Sequence, residues 1–124
     1  MYYPRLIDSY LKEWALRPAR KPLLLRGARQ VGKSTAVREL GKQFENFVEI
    51  NLEKQPSFIQ LFQGDLDVKR IVPQLLVMVG KPIVAGQTLL FIDEIQMAGE
   101  AIMALRFFKE DMPDLHLTTG RSPL

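Results

Sequence analysis

A glycine-rich run near the N-terminus constrains this 124-residue chain more than any other feature. Residues 27–34 read Gly-Ala-Arg-Gln-Val-Gly-Lys-Ser and match the pattern G-x-x-x-x-G-K-[ST] at every specified position. The run stands between the apolar segment Pro22–Arg26 and a helical pattern that follows Ser34. The run is thus predicted to be the loop between a strand and a helix. In such a loop, glycines let successive backbone N–H groups turn toward an anion at the helix N-terminus. The sequence therefore predicts a site for a nucleoside triphosphate.

The residue types in this run have defined roles in phosphate binding. The Lys33 ammonium is expected to reach the β- and γ-phosphates and to assist catalysis, and the Ser34 hydroxyl is expected to ligate Mg²⁺. The predicted nucleotide-binding residues are Gly27, Ala28, Arg29, Gln30, Val31, Gly32, Lys33, Ser34 and Thr35. An accidental glycine loop is the alternative, and the strand and helix on either side argue against it.

A second signal is a pair of carboxylates, Asp93 and Glu94, at the end of the apolar segment Thr88–Ile92. A buried strand of a parallel sheet delivers its last residues to the edge where phosphates bind. Asp93 is predicted to hold Mg²⁺ through its water shell, and Glu94 to orient and polarise the water that attacks the γ-phosphate. Alone, such a pair is more often a turn that leads into a helix. Its position downstream of the glycine-rich run favours the catalytic interpretation.

The hydrophobic pattern alternates between strands and helices along the whole chain. Strands are predicted at residues 22–26, 46–52, 88–94 and 115–119. Helices are predicted from apolar residues at helical spacing in residues 4–17, 35–44, 56–62, 66–79 and 97–112. Pro73 is expected to kink or restart the helix within residues 66–79. This alternation predicts an α/β fold of the P-loop type, with a parallel sheet flanked by helices.

Composition places the chain among single-domain globular proteins. Hydrophobic residues make up 47% and charged residues 25%, and both values are ordinary. The apolar runs are too short to cross a bilayer, and the N-terminal residues lack a signal-peptide core. The absence of cysteine excludes disulfides, thiolate zinc sites and cysteine nucleophiles. A cytoplasmic location without a membrane partner is expected.

Charge is distributed unevenly along the chain. Residues 1–42 carry ten Lys and Arg against three Asp and Glu, whereas residues 43–124 carry seven against eleven. A nucleic-acid partner would use the basic cluster formed by Arg17, Arg20, Lys21, Arg26 and Arg29. A solvated helix face is the simpler interpretation, because no aromatic residues are interleaved with the cluster. Nucleic-acid binding is therefore kept as the less favoured alternative.

Trp14 and His116 are not predicted to take part in the nucleotide site. Trp14 falls in the apolar stripe of the first helix, with Ile7, Tyr10 and Leu11, and is expected in the core rather than on an adenine ring. His116 alternates with apolar neighbours and has no Ser, Cys or carboxylate at useful spacing. It is expected to be a surface or hydrogen-bonded strand residue.

The two motifs together resemble those of the prokaryotic AAA-type ATPases, which are written RGxRQVGK[ST] and FxDEIQ. The matching segments are Arg26–Ser34 and Leu90–Gln96, and the resemblance also includes Ala104–Phe108 and Leu115–Gly120. It implies an AAA/RecA-like P-loop NTPase fold with ATP and Mg²⁺ as ligands. By the same resemblance, Gly32, Lys33 and Ser34 contact phosphate and metal, Asp93 contacts the metal, and Glu94 activates water.

The chain departs from that family pattern at its C-terminal end. Family members follow the last strand here with Thr-Gly-Ser, whose polar residue senses the γ-phosphate, whereas Thr119-Gly120 is followed by Arg121. No sensing residue is therefore assigned. Family members also continue into a further strand, a helical lid and a C-terminal domain, which would leave the P-loop strand here at a sheet edge. The expectation is a partial AAA-type domain that is incomplete at the C-terminus, with residues 1–21 as N-terminal helix and linker, 22–120 as P-loop core and 121–124 as tail.

The leading functional hypothesis is an AAA-type domain that binds ATP, with Mg²⁺-dependent hydrolysis as the parent activity and little turnover in this chain alone. Its expected protein partner is another copy of the chain, in a homo-oligomer, or a missing C-terminal domain. One alternative is a nucleotide-binding remnant that does not hydrolyse ATP. Another is a P-loop kinase or GTPase, which the adjacent Asp93 and Glu94 and the absence of an N-K-x-D motif make less favoured.

Overall fold

The protein is built around a four-stranded parallel sheet whose strands alternate with helices. The computed structural model describes residues 4–17, 22–26 and 33–122. The strands are β1 (Leu23–Arg26), β2 (Asn46–Asn51), β3 (Thr88–Asp93) and β4 (His116–Arg121). The α-helices are α1 (Pro4–Leu16), α2 (Lys33–Gly41), α3 (Val68–Val79) and α4 (Gly99–Asp111). Two 3₁₀ helices span Pro56–Phe62 and Ile95–Met97.

The strand order across the sheet is β1-β4-β3-β2, and every neighbouring pair is parallel. In a parallel sheet all strands end at the same edge, so the residues that follow β3 and β4 lie side by side. β3 is central and all six of its residues are buried. Within the described part of the chain, β1 pairs with β4 alone and occupies one edge of the sheet. The predicted α/β fold with a parallel sheet flanked by helices is confirmed.

Alternate residues of β3 enter two different cores, because side chains along a strand point to opposite faces. On one face, Leu89 and Phe91 pack against α1 and α2. On the other face, Leu90 and Ile92 pack against α3, α4 and the 3₁₀ helix at Pro56–Phe62. Both faces of the sheet are therefore covered, as a fully buried parallel strand requires.

The first helix is attached to the sheet through aromatic and hydrogen-bonding contacts. Trp14 is 3% exposed and belongs to the core, as predicted. His116 Nε2 lies 2.9 Å from the Ala15 carbonyl oxygen, and its ring makes edge contacts with Trp14 and Phe44. The prediction of a hydrogen-bonded strand residue is confirmed for His116. Tyr10, predicted to lie on the same apolar helix face as Trp14, is 50% exposed, so the buried face of α1 is narrower than predicted.

Helix α3 lies within the predicted segment 66–79 and does not restart at Pro73. The helix runs through the proline from Val68 to Val79, although the ring removes one backbone donor. Ile71 and Leu75 are fully buried on either side of it, and this packing offsets the lost hydrogen bond. In the part of the chain that the structure describes, none of the helices has the length and apolar character needed to cross a membrane.

Candidate functional site

The candidate site lies at the carboxyl edge of the sheet, where α2 begins beside the ends of β3 and β4. Lys33 and Ser34 are the first two residues of α2, Asp93 is the last residue of β3, and Glu94 follows it. These four side chains line a cavity of about 170 Å³, whose other walls are formed by Arg38, Asn51, Glu53 and Lys54. The predicted binding residues Gly27 to Gly32 lie outside the described residues. Thr35 is described and is exposed on the first turn of α2.

Lys33 and the two predicted carboxylates form one electrostatic unit. Lys33 Nζ lies 3.6 Å from Asp93 Oδ1 and 3.6 Å from Glu94 Oε1. All three residues are buried, with Lys33 only 4% exposed. A buried charge is costly unless it is paired, so the ammonium and the carboxylates hold one another in place.

The Asp93 carboxylate has a defined orientation because both of its oxygens accept hydrogen bonds. Ser34 Oγ donates to Asp93 Oδ2 over 3.0 Å, which joins the start of α2 to the end of β3. The backbone N–H of Glu94 donates to Asp93 Oδ1 over 2.9 Å. The hydroxyl and the carboxylate predicted to share a metal ion are thus adjacent.

Glu94 has an unusual backbone conformation. Its φ of 55° and ψ of 46° lie in the left-handed region, and among the described residues it is the one non-glycine residue with a positive φ. This conformation is unfavourable for most L-residues, and it persists where surrounding contacts over-determine it. Here the Glu94 N–H is held by Asp93 and its carboxylate by a neighbouring hydroxyl, so the strain serves to direct the side chain into the site.

That hydroxyl belongs to Ser122, a site residue that the sequence patterns did not identify. Ser122 Oγ donates to Glu94 Oε1 over 2.6 Å and accepts from Lys33 Nζ over 3.3 Å. β4 continues to Arg121, beyond the predicted end at Thr119 and into the segment predicted as a tail. The buried hydroxyl residue therefore comes two positions after Gly120, whereas in the Thr-Gly-Ser pattern of the resembling family it follows the glycine directly. The sequence offered one signal for Ser122: it is a hydroxyl residue shortly after the predicted strand that lies beside the P-loop strand.

Comparison with known proteins identifies the family of the chain. A family model described as an AAA domain matches residues 19–123. The chain belongs to the AAA domain family. The family supports a nucleotide-binding domain of the AAA type, and the matched range spans the positions of Lys33, Ser34, Asp93, Glu94 and Ser122. No curated protein matches the chain.

Arg38, which lines the cavity in this AAA domain, joins α2 to β2 through a charged pair with Glu49. Arg38 donates to Glu49 through Nε and Nη2, each over 2.8 Å, in a two-pronged contact. The hydrogen bonds that Arg38 donates to Glu49 raise the pKa of Arg38 above its usual value, against a smaller lowering by burial, and the charges of Glu49 and Asp93 add to the increase. Arg38 therefore keeps its positive charge beside the site under all ordinary conditions.

The proposed nucleic-acid cluster falls mostly outside the described side chains of this AAA domain. Arg17 is described, directly follows α1, and its Nη2 lies 3.3 Å from Glu13 Oε1 on that helix, in an exposed pair. Arg20, Lys21 and Arg29 lie outside the described residues, and Arg26 is described as part of β1. Nucleic-acid binding stays a prediction, less favoured for the reason given by the sequence.

Proposed function

We propose that this AAA domain binds ATP together with Mg²⁺ and positions a water molecule for hydrolysis of the γ-phosphate. The observation that carries the proposal is the convergence of Lys33 and Ser34, at the start of α2, with Asp93 and Glu94, at the end of β3. These residue types supply a cation for phosphate, oxygen ligands for a metal and a base for water. Their burial beside a cavity favours electrostatic interactions inside the site, because water screening is reduced.

The residues present fit a magnesium ion that is shared with phosphates. Mg²⁺ is typically held by one or two carboxylates together with substrate phosphates and waters. Asp93 Oδ2 and Ser34 Oγ provide such oxygens 3.0 Å apart, where Ser34 donates a hydrogen bond to Asp93. In the described part of the chain no cluster of three or more His, Cys, Asp or Glu could hold a metal ion by itself. When bound, the ion would neutralise charge on the phosphates.

Each remaining side chain has a separate role in the proposal. Lys33 carries the positive charge for the β- and γ-phosphates, and bound phosphate competes with its present contacts to Asp93 and Glu94. Glu94 accepts the proton of the attacking water or orients that water. Ser122 donates to Glu94 Oε1 and thereby fixes the direction in which the carboxylate points.

The test is a calorimetric titration of the full chain with ATP in the presence of Mg²⁺. Lys33→Ala is expected to lower the affinity strongly, because Lys33 is the cation that the motif places on the phosphates. Lys42→Ala is the matched control, since Lys42 follows the end of the same helix and has a side chain that is 72% exposed. Equal ATP affinity of the wild type and Lys33→Ala would contradict the proposal. A parallel titration with GTP separates an ATPase from the GTPase alternative.

A further inference from the structure

The strand β4 approaches the site through a residue without a side chain. Gly120 is buried in β4, at the point where the strand passes the Asp93 carboxylate and the Lys33 side chain. Its φ is not in the positive range, in contrast to Gly64, Gly80 and Gly86. Backbone conformation therefore does not explain a glycine at this position, and the surrounding space must be considered instead.

The space beside Gly120 is filled by site residues. A Cβ built on Gly120 would overlap Asp93 Oδ1 and would lie 3.3 Å from Asp93 Cγ and 3.2 Å from Lys33 Cε. The end of a lysine side chain can shift by a few tenths of an ångström at little cost. Asp93 has less freedom, because Oδ1 accepts from the Glu94 N–H and Oδ2 accepts from Ser34 Oγ.

We infer that Gly120 is a positioning residue, whose missing side chain lets the Asp93 carboxylate lie against β4 and thereby sets it for Ser34 and Mg²⁺. This inference rests on the proposed function for its metal, but its steric part concerns the chain alone. The effect extends to Glu94. A Cβ at position 120 would displace Asp93 Oδ1, which accepts a hydrogen bond from the backbone N–H of Glu94, the residue with the left-handed backbone. A side chain at position 120 would therefore disturb both carboxylates through one contact.

The first experiment is a double-mutant cycle on stability, which needs no nucleotide. Gly120→Ala is expected to lower the unfolding midpoint of the wild type but to cost little in an Asp93→Ala background, where the overlapped carboxylate is gone. If Gly120→Ala alone fails to fold, recovery of a folded protein on adding Asp93→Ala supports the inference. Additive effects, or a double variant that also fails to fold, would overturn it.

The second experiment measures ATP affinity with and without Mg²⁺. Gly120→Ala is expected to reduce the increase in ATP affinity caused by Mg²⁺ by about 10-fold or more, as for other residues that orient a metal ligand. Metal-free affinity should change little, which separates positioning from general damage to the fold. Gly99→Ala is the control, because a Cβ there meets open space at the first residue of α4.

The two experiments distinguish a failure of the positioning role from a failure of the proposed function. An unchanged Mg²⁺ dependence in Gly120→Ala would overturn the positioning role while leaving ATP binding intact. Absence of ATP binding in the wild type would contradict the proposed function, and the stability cycle would still decide whether Gly120 sets the position of Asp93.

Discussion

Removal of the buried cation Lys33 should destabilise the fold even without nucleotide. We consider Lys33→Met, which keeps most of the aliphatic side chain and removes the charge. Each 3.6 Å contact of Lys33 Nζ, to Asp93 Oδ1 and to Glu94 Oε1, corresponds to about 4 to 5 kcal/mol at an effective dielectric constant of about 20, before desolvation is subtracted. Loss of one partner from a buried ion pair typically costs about 3 to 5 kcal/mol. We expect a loss of about 3 kcal/mol in the free energy of unfolding, or roughly 12 °C in Tm.

The assay is urea unfolding followed by the fluorescence of Trp14, the single tryptophan of the chain, with far-UV circular dichroism as a second probe. Trp14 is buried against His116 and reports loss of the helix α1 contact. Lys42→Met is the control and should change stability by about 0.5 kcal/mol or less, because its pair with Glu39 is exposed. Lys33→Met with Asp93→Asn should recover part of the loss, since a neutral amide replaces one carboxylate. A Lys33→Met protein as stable as the wild type would refute the buried charge cluster.

Two further predictions concern the base and the docking of α1. Glu94→Gln should keep ATP affinity and lower turnover by about 10²-fold or more, because the amide cannot accept a proton from water, and single-turnover hydrolysis at the wild-type rate would remove Glu94 from this role. His116→Phe should keep the ring contacts with Trp14 and Phe44 but lose the contact to the Ala15 carbonyl, at a cost of about 1 kcal/mol in unfolding free energy. An unchanged urea midpoint in His116→Phe would show that this contact contributes nothing to the attachment of α1.

Much of the fold could be predicted from the sequence, because it depends on local periodicity. The apolar segment at residues 88–94 predicted a buried strand, and β3 is buried along its whole length. Parallel pairing followed from the alternation of strands with helices. Apolar spacing predicted a helix within residues 66–79, but whether it restarts at Pro73 could not be decided from the sequence, because tertiary packing of Ile71 and Leu75 outweighs the local preference of proline.

The site could be predicted only in the residues that carry motifs. Spacing along the chain indicated Lys33, Ser34, Asp93 and Glu94, and the structure brings these four together. Ser122 lies 28 residues from its partner Glu94, and no local pattern relates the two. The close approach of Gly120 to Asp93 depends on the register between β3 and β4, and the left-handed backbone of Glu94 is held by hydrogen bonds with Asp93 and Ser122. Such features follow from three-dimensional packing, which periodicity does not describe.

The most direct test of the proposed nucleotide site compares ATP binding with and without Mg²⁺ in the wild type and in Asp93→Asn. In the wild type Mg²⁺ should increase the affinity, because Asp93 and Ser34 offer oxygen ligands beside the phosphate-binding lysine. In Asp93→Asn most of that increase should disappear while metal-free binding remains, as expected for the loss of a carboxylate near the ion. An equal Mg²⁺-dependent gain in both proteins, measured by calorimetry, would contradict the assignment of the metal to Asp93.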